Sequence, residues 1–549
     1  MLNIDELAKN SLTQRNVRDF FKYARAQYLA SKGLARQPKQ DLELQATLAW
    51  ASREIGCEPE TAWGTPDFQI LLRATTPEHL ELLGIAPELS SEAAVESGRV
   101  MSLLPFNAVM DDTTIRKYVP SRPDRYSGNW RHSLDPYGIF SRQERIVART
   151  KDGAEIYLAT RKFSYAVLAN ITEACYIGCD GCYKGAMVRT ALWALSRVSE
   201  DYAQIKRQLT LEENRAERQA ELLAEWLDSN PDVDTVVISG GEPMLFSNGA
   251  LKRILAKFGN AKHVKVVRVC TAAIFQGMWY RVDDGFADAL AELRDSTGKQ
   301  VYINAHLTDE HQLAAPEAKI AVDTLRRRGI TVHLQMPLQQ GINFDRNDLK
   351  WSVKKLAAIA KQAYYLGVIP YKLIIDMHSP SHPDLTVPLE TVMKAIAFLD
   401  LHERHSDQER WQAVNILHQQ GNLYLPAYPH FAAAKEVNAK SQTVTYFIPK
   451  VNFSEDKHIS IHTYREPLIT GHNDDPASIP LPIDKAVLDK IRQARAALSS
   501  LSNAEEQIKA SAMPVEQKAE KALQAEREFW KACGLEYPEN KPLALDSSP

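Results

Sequence analysis

Through the middle of this 549-residue chain, six short β-rich runs alternate with helical stretches, and that rhythm constrains the fold more than any other feature. The runs are YAVLANI (165–171), DTVVIS (234–239), VKVVRVC (264–270), QVYINAH (300–306), TVHLQM (331–336) and PYKLIID (370–376). Between them lie stretches such as AERQAELLAEWLDS, GALKRILAKFG, GFADALAELRDS, EAKIAVDTLRRRG and LKWSVKKLAAIAKQAYYLG. The last two close at Gly329 and Gly367, where a helix end favours glycine. Strand, helix, strand in repetition means parallel strands joined by right-handed crossovers. An open six-unit barrel and a doubly wound sheet both satisfy the pattern. Either places function at the C-terminal ends of the strands.

The flanks have other rhythms. Residues 1–145 read as mainly helical, as in RNVRDFFKYARAQYLASKG with its stop at Gly33, followed by the Pro- and Asp-rich connector YVPSRPDRYSGNWRHSLDPYG. The α/β core is expected over 146–415. A segment of loop and strand covers 416–480, including LYLPAYPHFAAAKEV and QTVTYFIPKVNF, and a charged, Ala-rich helical tail covers 481–549. Packing or homo-oligomerisation is the expected role of that tail.

Net charge is −3, so no electrostatic case exists for nucleic acid or a membrane surface. No apolar run approaches the roughly 18–20 residues of a spanning helix. The start, MLNIDELAKN, lacks a basic head before an apolar stretch, so no secretory signal is expected and a reduced, cytoplasmic location is.

Six cysteines in so long a chain make no disulfide scaffold. Three of them, Cys175, Cys179 and Cys182, fall in EACYIGCDGCYKG (173–185), just after the first run. Thiolates at this density bind zinc or an iron–sulfur cluster. Cys57, Cys270 and Cys533 are isolated, so a zinc site would need a distant His as its fourth ligand. The Cys-x3-Cys-x2-Cys spacing suits three irons of a cubane, and the fourth iron stays open to a substrate or cofactor. One βα unit later, ISGGEPML (238–245) ends the second run. Gly240 and Gly241 let the backbone approach a ligand closely, and Glu242 can accept from an ammonium. A pair at His402 and His405 in LHERHSDQER reads better as a solvated helix face than as a metal site.

The cysteine loop and the Gly-Gly-Glu-Pro turn together resemble the radical SAM superfamily. Gly181 stands where that family often has an aromatic residue, and Tyr183 follows the last cysteine. Over about residues 160–470 the chain resembles one branch, the lysine 2,3-aminomutase family. VLANITEACYIGCDGC, TVVISGGEPMLFS, HVKVVRVCTA, VYINAHLTDEHQL, LQMPLQQGIN, LGVIPYKL and HTYREP (462–467) follow that family's strands and end motif in order. The resemblance implies a partial (β/α)6 barrel and a [4Fe–4S] cluster on Cys175, Cys179 and Cys182. It implies that the open iron chelates S-adenosylmethionine (SAM) and that electron transfer releases a 5′-deoxyadenosyl radical. It places Gly240, Gly241, Glu242, Arg268, Thr271, Asn304, His306 and Gln335 around the SAM or substrate pocket. A one-electron reductant such as flavodoxin or ferredoxin is the implied partner.

That family also uses pyridoxal 5′-phosphate (PLP) to carry the migrating amine of its amino-acid substrate. Counting back from Tyr464 makes Lys435, in FAAAKE, the implied PLP lysine, with alanines in place of the family's glycines. Lys440 and Lys450 are weaker alternatives, and an ordinary surface lysine is the plain reading of Lys435. Lys184 stands where the family has its carboxylate-clamping Arg, and a Lys cannot form the bidentate fork. Ala166 stands where the family has a phosphate-contacting Arg, which Arg161 or Lys162 could replace. The position of the family's ammonium-binding Asp falls near Tyr428, so lysine is not the expected substrate. The family's C-terminal zinc cysteines are absent. Asp376 and His378, closing the sixth run, are further substrate candidates. The expected reaction is a PLP-assisted 1,2-amino shift on another amino acid. The alternatives are a PLP-independent radical SAM conversion of an amino acid or peptide-like substrate, and a non-catalytic metal-binding scaffold.

Overall fold

The computed structural model describes residues 2–11, 17–72, 77–84, 145–149, 153, 155–175, 202–375, 385–400, 409–416, 423–425, 434–451, 459–475 and 485–534. Its centre is a ten-stranded sheet in which spatial order follows chain order. The strands are β1 (Arg145–Arg149), β2 (Glu155–Phe163), β3 (Ala166–Thr172), β4 (Thr235–Gly240), β5 (Val266–Thr271), β6 (Gln300–His306), β7 (Thr331–Leu338), β8 (Ile369–Ile375), β9 (Ala413–Ile416) and β10 (Leu423–Leu425). All six anticipated runs are strands, β3 to β8, and they pair in parallel. A doubly wound sheet reverses its strand order part-way, and this one does not, so that alternative falls. The short strand β9 extends the parallel part, while β1–β2 and β10 add antiparallel edges that the hydrophobic pattern did not announce.

Right-handed crossovers in an unreversed order put every connecting helix on one face. The helices Tyr202–Asp228, Asn248–Asn260, Asp284–Thr297, Pro316–Arg327, Leu349–Leu366 and Leu389–Asp400 supply that layer. Alternate strand residues bury against it: Val167, Ala169 and Ile171 in β3, Val236 and Ile238 in β4, Val267 and Val269 in β5, Ile303 and Ala305 in β6, Leu334 and Met336 in β7. Capping sets the helix boundaries. Asp283 and Asp348 accept from the first-turn N–H groups of Phe286 and Trp351, and Gly298 and Gly367 end their helices in left-handed backbone.

The anticipated N-terminal helices are present as Ile4–Ser11, Val17–Ser31, Leu42–Ile55, Pro66–Leu71 and Pro77–Leu82. Phe20, Phe21, Trp63 and Phe68 pack among themselves beneath them. The group docks through Glu317, whose side chain is fully buried. Arg25 donates to both of its oxygens at 2.6 and 2.9 Å, and the Trp63 indole donates at 3.1 Å. Burial and the nearby Glu317 charge push the Tyr28 phenol up to about 12.

A second, antiparallel sheet follows: β11 (Ala434–Asn438), β12 (Thr443–Val451) and β13 (Ile459–Pro467). Two helices, Lys485–Ala510 and Val515–Ala532, close its outer side. Phe447 and Ile461 of the sheet share a small core with Ile491, Leu498, Phe529 and Trp530. The helical tail anticipated as one region is therefore a pair, with Pro514 at the start of its second helix. No helix among the described residues is long and apolar enough to cross a membrane.

Candidate functional site

The cysteine loop leaves the sheet at the end of β3, a strand buried along its whole length. Its first residues are tied to the glycine turn after β4. The N–H groups of Gly241 and Glu242 donate to the carbonyls of Thr172 and Ala174 at 2.7 and 2.8 Å. Gly240 has φ +129°, and a Cβ there would stand 2.3 Å from the Thr172 carbonyl oxygen. A Cβ on Gly241 would stand 1.9 Å from the Ala174 oxygen and 3.1 Å from the Cys175 nitrogen. The two glycines thus serve a backbone-on-backbone contact with the start of the cysteine loop. Cys175 is half-buried at this junction and is not in a disulfide.

Glu242 braces the next strand. Its carboxylate is 2 % exposed. Oε1 accepts from the Met244 N–H at 3.0 Å and the Thr271 hydroxyl at 2.6 Å, and Oε2 accepts from the Ala272 N–H at 2.8 Å. Any further donor to this carboxylate must share it with these three. Thr271 pairs with Ala305 on the helix side of the sheet, so among the expected pocket residues it acts through Glu242.

The other expected pocket residues share the opposite, helix-free face. Asn170 faces Ser239 across β3 and β4, Arg268 faces Tyr302, Cys270 faces Asn304, and Asn304 faces His333. One layer nearer the strand ends, His306, Gln335, Lys372 and Ala413 are aligned across β6 to β9. Asn415 lies beside Ile374 at the β8–β9 edge. This face carries buried polar atoms with no hydrogen-bond partner among the described residues: Asn170 Oδ1, Arg268 Nε, Asn304 Oδ1, His333 Nδ1 and both amide atoms of Asn415. Buried polar groups are nearly always satisfied, so such a row fits a polar ligand. Asn170, His333, Lys372 and Asn415 escaped the sequence reading, which took residues at strand ends. Reading every second residue inward from those ends would have found the first three, while Asn415 lies on β9, outside the anticipated runs.

Lys435 lies on β11 and is not a surface lysine. Its side chain is 1 % exposed and its Nζ sits 2.5 Å from Glu390 Oε1. Tyr446 Oη lies 3.0 Å from both Glu390 Oε1 and Glu466 Oε1. A phenol has one hydrogen, so only one of those contacts can be its donation. Burial lifts the Glu466 carboxyl to about 7, against the pull of Asn473, the Leu389 N–H and Tyr446. The Tyr446 hydroxyl thus donates either to Glu466 Oε1 or to the Glu390 carboxylate paired with Lys435, and a Glu466 carboxyl raised to about 7 is only partly ionised near neutrality. Burial and both carboxylates raise the phenol further, which keeps it neutral.

No protein-family model matches the chain. Curated proteins do. A protein of Aquifex aeolicus named "Putative L-lysine 2,3-aminomutase" is 25% identical over 206 residues, 37% of this chain and 49% of the relative. An uncharacterized KamA family protein of Methanocaldococcus jannaschii is 22% identical over 319 residues, 56% of this chain and 44% of the relative. Glutamate 2,3-aminomutase of Clostridioides difficile is 22% identical over 210 residues, 38% and 43%. The chain is similar to proteins named as lysine and glutamate 2,3-aminomutases and to a KamA family protein, each at 22–25% identity. It spans about half the length of these curated relatives.

In this aminomutase-like chain, Cys179, Cys182, Lys184, Asp376, His378, Tyr428, His402 and His405 lie outside the described residues. So do the side chains of Lys162 and Lys450. Cys57 sits among the N-terminal helices, Cys270 on the helix-free face and Cys533 in the small core of the C-terminal helices, three separate parts of the molecule. The donor set at the loop, three thiols after β3, fits a cluster with one open iron. The orphaned polar row fits SAM. PLP at Lys435 does not fit. A lysine that takes up an aldehyde must offer a neutral amine with room beside it, and this one is buried against a carboxylate. Arg161 pairs with Asp232, Ala166 is buried, and Lys440 pairs with Glu506 on the surface.

Proposed function

We propose that this chain is a radical SAM enzyme that converts an amino acid, with Cys175, Cys179 and Cys182 holding a [4Fe–4S] cluster inside a partial (β/α)6 barrel. The observation that carries the reading is the backbone contact between the start of the cysteine loop and the Gly240–Gly241–Glu242 turn. Nothing in an ordinary βα turn requires so close an approach, and it brings the SAM turn against the first cysteine. A cluster with one open iron supplies, when bound, the electron that splits SAM into methionine and a 5′-deoxyadenosyl radical. The chain's own residues supply position. Glu242 locks the ends of β4 and β5 together, and Asn170, Asn304, His306 and Gln335 offer donors and acceptors on the helix-free face. The rings of Tyr302, His333 and Tyr371 lie side by side on the lower part of that face.

An amino shift is the reaction in the relatives' names, and by analogy an aminomutase acting on an amino acid other than lysine is the first reading. The engagement of Lys435 with Glu390 favours a second, in which the same radical acts on an amino acid or peptide-like substrate without PLP. A flavodoxin or ferredoxin would deliver the electron.

The test is anaerobic reconstitution with iron and sulfide, reduction with dithionite and chromatography for 5′-deoxyadenosine. Wild type should release it from SAM, and Cys175→Ala should not. A cluster-loaded wild type that leaves SAM intact would sink the reading. Borohydride reduction with PLP present, followed by peptide mass spectrometry, decides between the two forms. A phosphopyridoxyl group on Lys435 restores the PLP form, and its absence from every lysine supports the second.

A further inference from the structure

A row of cations and rings crosses the helix-free face from β5 to β8. The Arg268 guanidinium lies over the Tyr302 ring, 5.2 Å from its centroid. The Tyr302 and His333 rings are 4.5 Å apart, and those of His333 and Tyr371 are 5.1 Å apart. Lys372 Nζ sits 4.7 Å from the Tyr371 ring. On this face of β3 to β9, the described strand residues include no Asp or Glu. Arg268 makes no ion pair among the described residues, and its Nε, like His333 Nδ1, is buried without a hydrogen-bond partner.

The charges that reach His333 are those of Arg268 and Lys372, both positive. Burial, and then these two, depress the imidazole to about 4, so it is neutral at physiological pH. What remains is the half-buried Arg268 guanidinium, a fork able to grip an oxyanion through two parallel bonds, and an uncharged imidazole beside it. Low local polarity strengthens any such grip.

We propose, resting on the radical SAM reading above, that Arg268, His333 and Lys372 seat an oxyanion of the substrate, a side-chain carboxylate or a phosphate. The amino acid acted on is then anionic rather than cationic.

The experiment is calorimetry on the anaerobically reconstituted holoprotein with SAM present, using L-glutamate, O-phospho-L-serine, L-lysine and PLP as probes. One of the two anionic amino acids should bind at least about tenfold more tightly than L-lysine. Arg268→Met should weaken that binding roughly 10- to 100-fold, the loss expected of one charge-assisted pair, and Arg268→Lys should weaken it less. Four outcomes would overturn the proposal. L-lysine could bind as well as either anionic probe, or neither anionic probe could bind wild type. Arg268→Met could leave their affinity unchanged, which would make the row a packing stack. The loss could instead appear only for PLP or SAM, which would assign the row to a phosphate or carboxylate of the cofactors. If Arg268→Met fails to fold, the wild-type preference and Arg268→Lys still decide. Release of 5′-deoxyadenosine is measured separately, so an anion preference without SAM cleavage would sink the radical reading and leave this one standing.

Discussion

A methyl group on Gly241 would have nowhere to go. Its nearest neighbours are the carbonyl oxygen and carbon of Ala174, at 1.9 and 2.5 Å, both backbone in the start of the cysteine loop. Backbone cannot swing aside as a flexible side chain can. Gly241→Ala should therefore lower stability by roughly 2–3 kcal/mol and reduce iron bound per chain after reconstitution. Gly249→Ala is the contrast: its Cβ would meet only Arg253 Nη1 at 3.6 Å, and the helix there favours alanine. Equal thermal midpoints and equal iron content in the two variants would remove the structural reason given for the glycine pair. The residue types at this turn were legible from order alone, but not what they touch. The sequence suggested a ligand as the reason for Gly240 and Gly241; the nearest atoms belong to Thr172, Ala174 and Cys175.

Among the elements, the small antiparallel sheet meets the core through charge held out of water. Glu466 on β13 accepts from the N–H of Leu389, at the start of the helix that also carries Glu390. Burial raises its carboxyl from 4.5 to about 7, so between those values the folded chain holds the proton more tightly than the unfolded chain does. The resulting stabilisation is full below about pH 4.5 and is lost as pH rises through about 7. Urea unfolding should show wild type losing on the order of 2–3 kcal/mol between about pH 5.5 and pH 8.5. Glu466→Gln, which cannot titrate, should flatten that slope. An unchanged slope in the variant would place the titrating group elsewhere. Sequence counting had singled out Lys435, but its partner Glu390 lies 45 residues away in the chain, and Glu390 in turn meets Tyr446 across 56 residues. No local pattern could have paired them.

For the whole molecule, the N-terminal helices are joined to the α/β core at one buried carboxylate. Glu317 opens the helix Pro316–Arg327 and is met by Arg25 and Trp63, 292 and 254 residues away in sequence. Glu317→Ala would leave the guanidinium and the indole without their acceptor, at a cost of about 3 kcal/mol. Hydrogen exchange should then quicken in the helix Val17–Ser31 well before it does in β4 to β7. Exchange that stays uniform would mean that the aromatic contacts, such as Tyr28 with Trp279, hold the two parts together without the charge.

The alternation of apolar runs with helical stretches determined the parallel strands, because each strand had to bury one face and each helix one stripe. Thiol spacing and the glycine turn marked where a metal or cluster could be held, because ligand number and backbone freedom are local properties. Tertiary structure alone decided that the strands keep one order without reversal, since both sheet topologies obey the same local periodicity. It also decided which strand residues share a face with Arg268, why Lys435 is buried against Glu390, and why burial raises the Glu466 carboxyl. Those facts depend on which distant groups exclude water from one another, and burial is a property of the packed chain rather than of any stretch of it.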